Sequence, residues 1–160
     1  LSFIQIPIFP PAPYLQYDPS GIVTLTVALM YGPAAGIMVQ LVSWIPKLIM
    51  SPLGSLLTFV AMIGAVLVVG CIYKKFHNLK GAIVAIVVGS VIFTAIAIAM
   101  NFVITPIYTP GVTVEAVASM VVPILLPFNI IKCTINGVVT GLLYKPVSNL
   151  VKMRDSRAHA

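Results

Sequence analysis

Apolar stretches separated by short polar segments make up most of the chain. Three of them contain about the 20 apolar residues that a helix needs to cross a bilayer. They are 53–73, 82–104 and 127–150. The stretch 20–50 is also apolar, but Gly32-Pro33 interrupts it and favours two short helices, 20–31 and 34–50. The pattern predicts an all-α integral membrane protein.

The segments before and between these spans are less regular. Residues 7–19 are rich in proline, which excludes a helix and predicts an extended outer loop. Residues 1–7 resemble the last turns of a helix, so we expect a bundle of six transmembrane helices with the first largely missing from this chain. Residues 112–120 could form a short interfacial helix. We interpret 1–160 as a single transmembrane domain.

Composition supports the membrane interpretation. Hydrophobic residues are 60% of the chain, charged residues are 8% and mean hydropathy is +1.12, whereas about 25% of residues in a soluble protein are charged. The net charge of +6 comes from bases in one loop and in the tail, which the positive-inside rule assigns to the cytoplasm, so both termini are expected inside the cell. Nucleic-acid binding is not indicated. The clustered bases are Lys74, Lys75, Lys80, Lys145, Lys152, Arg154 and Arg157.

The strongest candidate for a functional site is a polar stripe in the last span. Lys132 is a cation in an apolar helix, where it costs about 2.5–3.5 kcal/mol on insertion scales. Asn129 and Asn136 lie one turn before and after it, on the same face. Asn101, near the end of the preceding span, is a candidate for the same site. The stripe indicates either a site for a polar ligand or hydrogen bonding between helices.

Residues near the predicted outer loop are further candidates. Asp18 could cap the helix that follows it or contact a ligand. Tyr17 and Tyr108 fit an aromatic belt at the membrane interface or the wall of a site for a flat ring. Because the spans contain no acid, we do not expect a salt bridge within a span to offset the charge of Lys132. A ligand or backbone carbonyls are expected to do so.

Catalysis and metal binding are poorly supported by the sequence. The two histidines, His77 and His159, lie in a loop and in the tail, and the three acids are scattered. No glycine-rich phosphate-binding loop is present, so this chain does not hydrolyse ATP itself. We expect no enzyme activity, no metal and no cofactor. Cys71 and Cys133 are expected to be free thiols.

Several stretches, in their order and spacing, resemble the substrate-binding S component of energy-coupling factor (ECF) vitamin transporters, specifically the riboflavin type. They are Tyr14-Leu15-Gln16-Tyr17-Asp18-Pro19-Ser20, Tyr31-Gly32-Pro33-Ala34-Ala35-Gly36, Asn101-Phe102-Val103-Ile104-Thr105-Pro106-Ile107-Tyr108, Leu126-Pro127-Phe128-Asn129-Ile130-Ile131-Lys132 and Leu142-Leu143-Tyr144-Lys145. Together they span most of the chain.

The resemblance implies a six-helix subunit of the bacterial cell membrane with both termini in the cytoplasm. It implies capture of riboflavin from outside, with Asn101, Asn129 and Lys132 matching ligand contacts of the family. ATP-driven uptake would be carried out by partner chains, a transmembrane coupling subunit and two cytoplasmic ATPases. Two alternatives remain. One is an S component for another vitamin, such as folate, biotin or pantothenate, and the other is a structural assembly subunit.

Overall fold

The computed structural model describes residues 6–7, 16–50, 52–108 and 111–158. Within these ranges the chain forms six α-helices, one π-helical turn and a pair of very short strands, so the fold class is all-α as predicted. The elements are β1 Ile6–Pro7, β2 Gln16–Tyr17, α1 Ser20–Tyr31, α2 Pro33–Met50, α3 Pro52–Lys75, α4 Leu79–Tyr108, α5 Val114–Met120, the π-helical turn Val121–Leu125 and α6 Leu126–Ala158.

The long helices pack side by side as a bundle. Of the helix pairs, α3 and α4 make the most extensive contact, and α6 packs against both α4 and α1. Among the described residues, three segments are long and apolar enough to cross a membrane: Gly54–Lys75, Leu79–Ile107 and Val114–Asn149. We call the end where α1, α3 and α6 begin the site end. The opposite end, with the loop between α3 and α4 and the last turns of α6, is the basic end.

Two glycines have specific roles in the turn and packing at the start of α2. Gly32 separates α1 from α2 and has a φ of 90°, a backbone angle that residues other than glycine rarely adopt. Its N–H donates to the carbonyl of Ala28 at 3.0 Å, so the turn closes the end of α1. Gly70 lies against the first residue of α2, since a Cβ at this position would lie 2.7 Å from Pro33. The predicted break at Gly32-Pro33 is therefore a tight, closely packed turn.

Small side chains fill much of the bundle centre. Alanines at the α3–α4 contact are almost completely buried, which lets the two backbones approach closely. Larger apolar side chains from the other helices complete the core. Its buried members are Leu25, Ala28, Leu29, Ala61, Met62, Ala65, Val66, Val69, Ala82, Ala85, Ile86, Phe93, Ala97 and Tyr144.

The helices extend beyond several of the predicted spans. The span expected at 82–104 lies inside α4, which continues through Pro106 to Tyr108. A proline this close to a helix end removes only one hydrogen bond, so the helix need not stop there. At the start of α6, Pro127 has no N–H to donate to the preceding turn. The chain widens into the π-helical turn, where the N–H of Leu126 donates to the carbonyl of Val121.

The N-terminal segment differs from the expectation where it is described. Ile6 and Pro7 are extended and pair antiparallel with Tyr17 and Gln16, so they are not the end of a helix. Proline ends a helix and disfavours helical backbone in the residue before it, which explains the difference. The expected first helix and most of the 7–19 loop fall on residues 1–5 and 8–15, outside the described residues.

Candidate functional site

A buried ion pair joins the start of α1 to the end of α2. Lys47 Nζ donates to Asp18 Oδ2 at 2.7 Å and to Ser20 Oγ at 2.8 Å. The other carboxylate oxygen of Asp18 accepts the backbone N–H of Ser20 at 2.8 Å. All three residues are buried, with Lys47 only 4% exposed and Asp18 only 6% exposed. Pro19 is the N-cap residue of α1 and has no side-chain cap, so the carboxylate of Asp18 binds the first backbone N–H of α1 from one residue further out and also binds a lysine from another helix.

Lys132 lies deeper in the bundle, on the face that α6 turns inward. Its side chain is 3% exposed, and the ammonium lies 5.4 Å from the ring centroid of Phe93 and 5.9 Å from that of Phe128. These are cation–π distances. Among the described residues, Lys132 has no hydrogen-bond partner and no ion-pair partner within 4.0 Å. Its ammonium lies against aromatic faces, and none of its three N–H groups donates to a described residue.

An acid from outside the spans acts on Lys132 without pairing with it. Asp18 lies outside the spans in sequence but is buried beside them, and its charge acts on Lys132 as well as on Lys47. Burial alone would raise the pKa of the Asp18 carboxyl, but the charges of Lys132 and Lys47 and the hydrogen bonds from Lys47 and Ser20 outweigh it and lower the pKa. Asp18 therefore stays ionised between two lysines.

The segment before α1 also reaches α6. The hydroxyl of Tyr17 donates to Asn136 Oδ1 at 2.9 Å, and both side chains are buried. Burial, and then the charge of Asp18, raises the pKa of the Tyr17 phenol, so it stays protonated and can donate. Gly21 lies against the same amide, because a Cβ there would lie 2.6 Å from Asn136 Nδ2. Asn136 thus fixes the depth at which α1 begins.

Two further asparagines are buried but only partly satisfied. Asn129 donates one amide N–H to the carbonyl of Leu125 at 2.8 Å, one turn earlier in the chain. Asn101 donates to the carbonyl of Ala97 at 2.7 Å and accepts from Thr105 at 3.0 Å. Within the described residues neither amide bonds to Lys132 or to the other. Each retains hydrogen-bonding capacity, and both lie on the site-end side of the contact between Lys132 and Phe93.

The predicted candidates thus divide into three groups. Tyr17 and Asn136 bind each other directly, Asp18 and Lys132 interact through their charges, and Asn101 and Asn129 are buried nearby in separate helices. Tyr108 is the last residue of α4, and its side chain lies outside the described part of the chain.

Lys47 is the residue that the sequence interpretation missed. It lies in the last turn of α2 and was not among the predicted site residues, yet it binds the carboxylate of Asp18. A signal was available, because Lys47 lies at the bundle end opposite the clustered bases Lys74, Lys75 and Lys80, which runs against the positive-inside pattern. A lysine on that side of the membrane is a candidate for a buried role.

One cavity of the bundle lies away from this polar cluster, and another lies at its edge. A groove of about 850 Å³ between α4 and α6 is lined mostly by apolar side chains and contains none of the buried charged residues. A cavity of about 20 Å³, room for about one water molecule, lies between Phe93, Cys133 and Asn136 at the edge of the cluster. No group of metal-binding side chains occurs among the described residues, and both cysteines are free. The buried polar cluster is therefore the candidate site.

A bundle of apolar helices with charged and amide side chains buried at one end defines a class of integral membrane protein. Ionisable residues inside such bundles mark pathways or binding sites for polar solutes.

Comparison with known proteins identifies the family. The model of the family "ECF transporter, substrate-specific component" matches residues 1–144. This chain belongs to that family of transporter subunits, which are not enzymes. The riboflavin transporter RibU of Staphylococcus aureus (strain TCH60) is 31% identical over 160 residues, covering 95% of this chain and 85% of the relative. The riboflavin transporter FmnP of Bacillus subtilis (strain 168) is 32% identical over 169 residues, covering 98% and 88%.

A solved structure agrees with this assignment. The S component of a bacterial ECF transporter superposes with a TM-score of 0.78 at 31% sequence identity, covering 95% of this chain and 89% of that one. The chain is therefore a multi-pass membrane protein with the S-component fold.

Proposed function

We propose that this chain captures riboflavin at the site end of the bundle and presents it to partner subunits for ATP-driven uptake. The observation that carries the proposal is the buried ammonium of Lys132, which lies among aromatic rings with no hydrogen-bond partner in the described residues. Two relatives that align along nearly the whole chain are riboflavin transporters, which supports the choice of ligand.

The chemistry of the cluster suits an uncharged, carbonyl-rich ring. Lys132 would donate to ring carbonyls, and the free capacity of Asn101 and Asn129 would bind the polar ring edge or the ribityl hydroxyls. Phe93 and Phe128, already against the ammonium, offer apolar faces for the flat ring. Tyr17 and Asn136 would border the ligand from the segment before α1 and from α6. No step requires a cofactor.

The orientation of the chain follows from its bases. Lys74, Lys75, Lys80 and Lys145 are exposed at the basic end, which the positive-inside rule assigns to the cytoplasm. The site end then faces the outside of a bacterial cell membrane, and the end of α6 lies in the cytoplasm. The partners would be a transmembrane coupling subunit and two cytoplasmic ATPases, as in the family that the sequence resembles.

Binding to the purified protein tests the proposal. The protein is titrated with riboflavin, and any co-purified ligand is identified by its visible absorption and by mass. Removing one charge-assisted contact costs about 1.5–3 kcal/mol, so Lys132→Ala should weaken binding by about tenfold or more. Lys145→Ala, which removes an exposed lysine of the same helix, is the matched control. Unchanged affinity in Lys132→Ala would exclude this site.

A second ligand class is tested in the same titration. The described site contains the two lysines Lys47 and Lys132 but the single acid Asp18, and this excess of positive charge favours an anionic vitamin such as folate, biotin or pantothenate. Saturable binding of one of these, with no binding of riboflavin, would replace the proposed ligand. Saturable binding of none, together with loss of assembly in Lys132→Ala, would favour the structural role.

A further inference from the structure

Lys47 and Asp18 connect the segment that precedes the first described helix to the rest of the bundle. The ion pair joins side chains 29 positions apart, at 2.7 Å, in a region that solvent barely reaches. A second donation from the same ammonium to Ser20 fixes the first turn of α1. A pair this short and buried holds its geometry, whereas an exposed pair of the same residues would exchange freely with water.

The carboxylate of Asp18 interacts with two buried lysines. It is bonded to Lys47, and it also attracts Lys132, which has no ion-pair partner within 4.0 Å among the described residues. Outside this cluster the chain has only two other acids, Glu115, which is exposed in α5, and Asp155, in the tail. No other carboxylate near the cluster can take the place of Asp18.

The bond between Lys47 and Asp18 therefore determines whether the ammonium of Lys132 is available to a ligand. While Lys47 holds the carboxylate, the ammonium of Lys132 stays over Phe93 and Phe128 with its N–H groups available. Without Lys47, the buried carboxylate would lack its bonded counter-charge. Lys132 is the other buried lysine among the described residues, and it lies one helical turn from Asn136, which binds Tyr17, the chain neighbour of Asp18. A direct pair between Asp18 and Lys132 would use the donors that a ligand needs.

We propose that Lys47 is a positioning residue of the ligand site: it binds Asp18 so that Lys132 remains free to bind the ligand. The inference rests on the proposed function, because it assumes that Lys132 contacts riboflavin. It assigns to Lys47 no contact with the ligand.

The test is a double-mutant cycle on the full chain with riboflavin as the probe. Lys47→Met should weaken binding by about tenfold, because Asp18 then captures Lys132. Adding Asp18→Asn removes the competing charge, so the double variant should recover to within about threefold of the wild type. Lys47→Arg, which keeps the charge, should bind nearly as the wild type does. Lys145→Met controls for loss of a lysine.

The absorption spectrum of the bound flavin gives a second measurement. In Lys47→Met it should shift toward the spectrum seen in Lys132→Met, because both variants lose the ammonium from the ring, and the double variant should return to the wild-type spectrum. A purely structural role for Lys47 would not reverse in this way. If Lys47→Met does not fold, the double variant is compared with Asp18→Asn alone: unchanged affinity on adding Lys47→Met supports the proposal, and a further tenfold loss overturns it.

Each outcome is decisive. A double variant that binds as weakly as Lys47→Met, or more weakly, overturns the positioning role, as does wild-type affinity in Lys47→Met. A wild-type protein that binds riboflavin and loses it in Lys132→Met, but shows no coupling between Lys47 and Asp18, overturns this inference alone. A wild-type protein that does not bind riboflavin overturns the proposed function and this inference with it.

Discussion

The two ends of the bundle treat charge in opposite ways. At the site end, Asp18, Lys47 and Lys132 are buried, and the pair between Asp18 and Lys47 is 2.7 Å long. At the basic end, Lys74 and Lys75 are exposed, and the hydroxyls of Tyr73 and Tyr144 make a neutral, partly buried contact. Buried charge therefore concentrates at one end.

The buried charges serve ligand recognition, whereas the exposed charges set the orientation of the chain in the membrane. An exposed lysine keeps its hydration and contributes little to the fold, but it biases which end stays in the cytoplasm. A buried lysine loses its hydration and must regain the energy from a partner, so its neighbours are fixed. Changes at the site end should affect stability and ligand binding together, whereas changes at the basic end should affect neither strongly.

The largest effect on stability is expected from Asp18→Asn. The substitution leaves Lys47 buried without its counter-charge, which costs about 3–5 kcal/mol when one partner of a buried pair is removed. Thermal or denaturant unfolding in detergent measures it. Glu115→Gln, which neutralises an exposed acid in α5, is the control and should stay within about 0.5 kcal/mol of the wild type. Equal effects of the two substitutions would remove the contrast between buried and exposed charge.

A smaller effect is expected from Tyr73→Phe at the basic end. The hydroxyls of Tyr73 and Tyr144 lie 2.6 Å apart and join α3 to α6. Loss of one neutral hydrogen bond should lower the free energy of unfolding by about 1 kcal/mol. Tyr144→Phe should cost a similar amount, and the double variant should cost less than the sum, because both lose the same bond. Simple additivity in unfolding experiments would show that the hydroxyls do not interact.

The smallest effect is expected from Lys75→Ala. The side chain is exposed at the end of α3, so the free energy of unfolding should change by less than about 0.5 kcal/mol and riboflavin affinity should not change. Parallel unfolding and titration experiments measure both. A marked loss of affinity would mean that the basic end contributes to binding, and the division between the two ends would not hold.

Much of the fold could be predicted from local pattern. Apolar runs of the right length predict α3, α4 and α6, and Gly32-Pro33 predicts the turn between the two short helices, because these signals are carried by neighbouring residues. The extension of α4 through Pro106 and the π-helical turn before Pro127 were not predicted. Both depend on how a helix satisfies its backbone around a proline, which residue type alone does not decide.

The candidate site was predictable only where its residues share a helix. Asn129, Lys132 and Asn136 follow the helical repeat, and all three are buried. The bond between Asp18 and Lys47 joins positions in different elements, and nothing in the local sequence links them. The contact between Tyr17 and Asn136 spans 119 positions and depends on how deeply the start of α1 enters the bundle.

That depth follows from the length of α1, which has only 12 residues and rises about 18 Å. Its first turn lies beside Asn136, whereas α6 begins ten residues earlier, at Leu126, about 15 Å closer to the site end. The start of α1 therefore lies about three turns of α6 deeper than the start of α6, at the level of Asn136, and the polar stripe of Asn129 and Lys132 lies between these two levels.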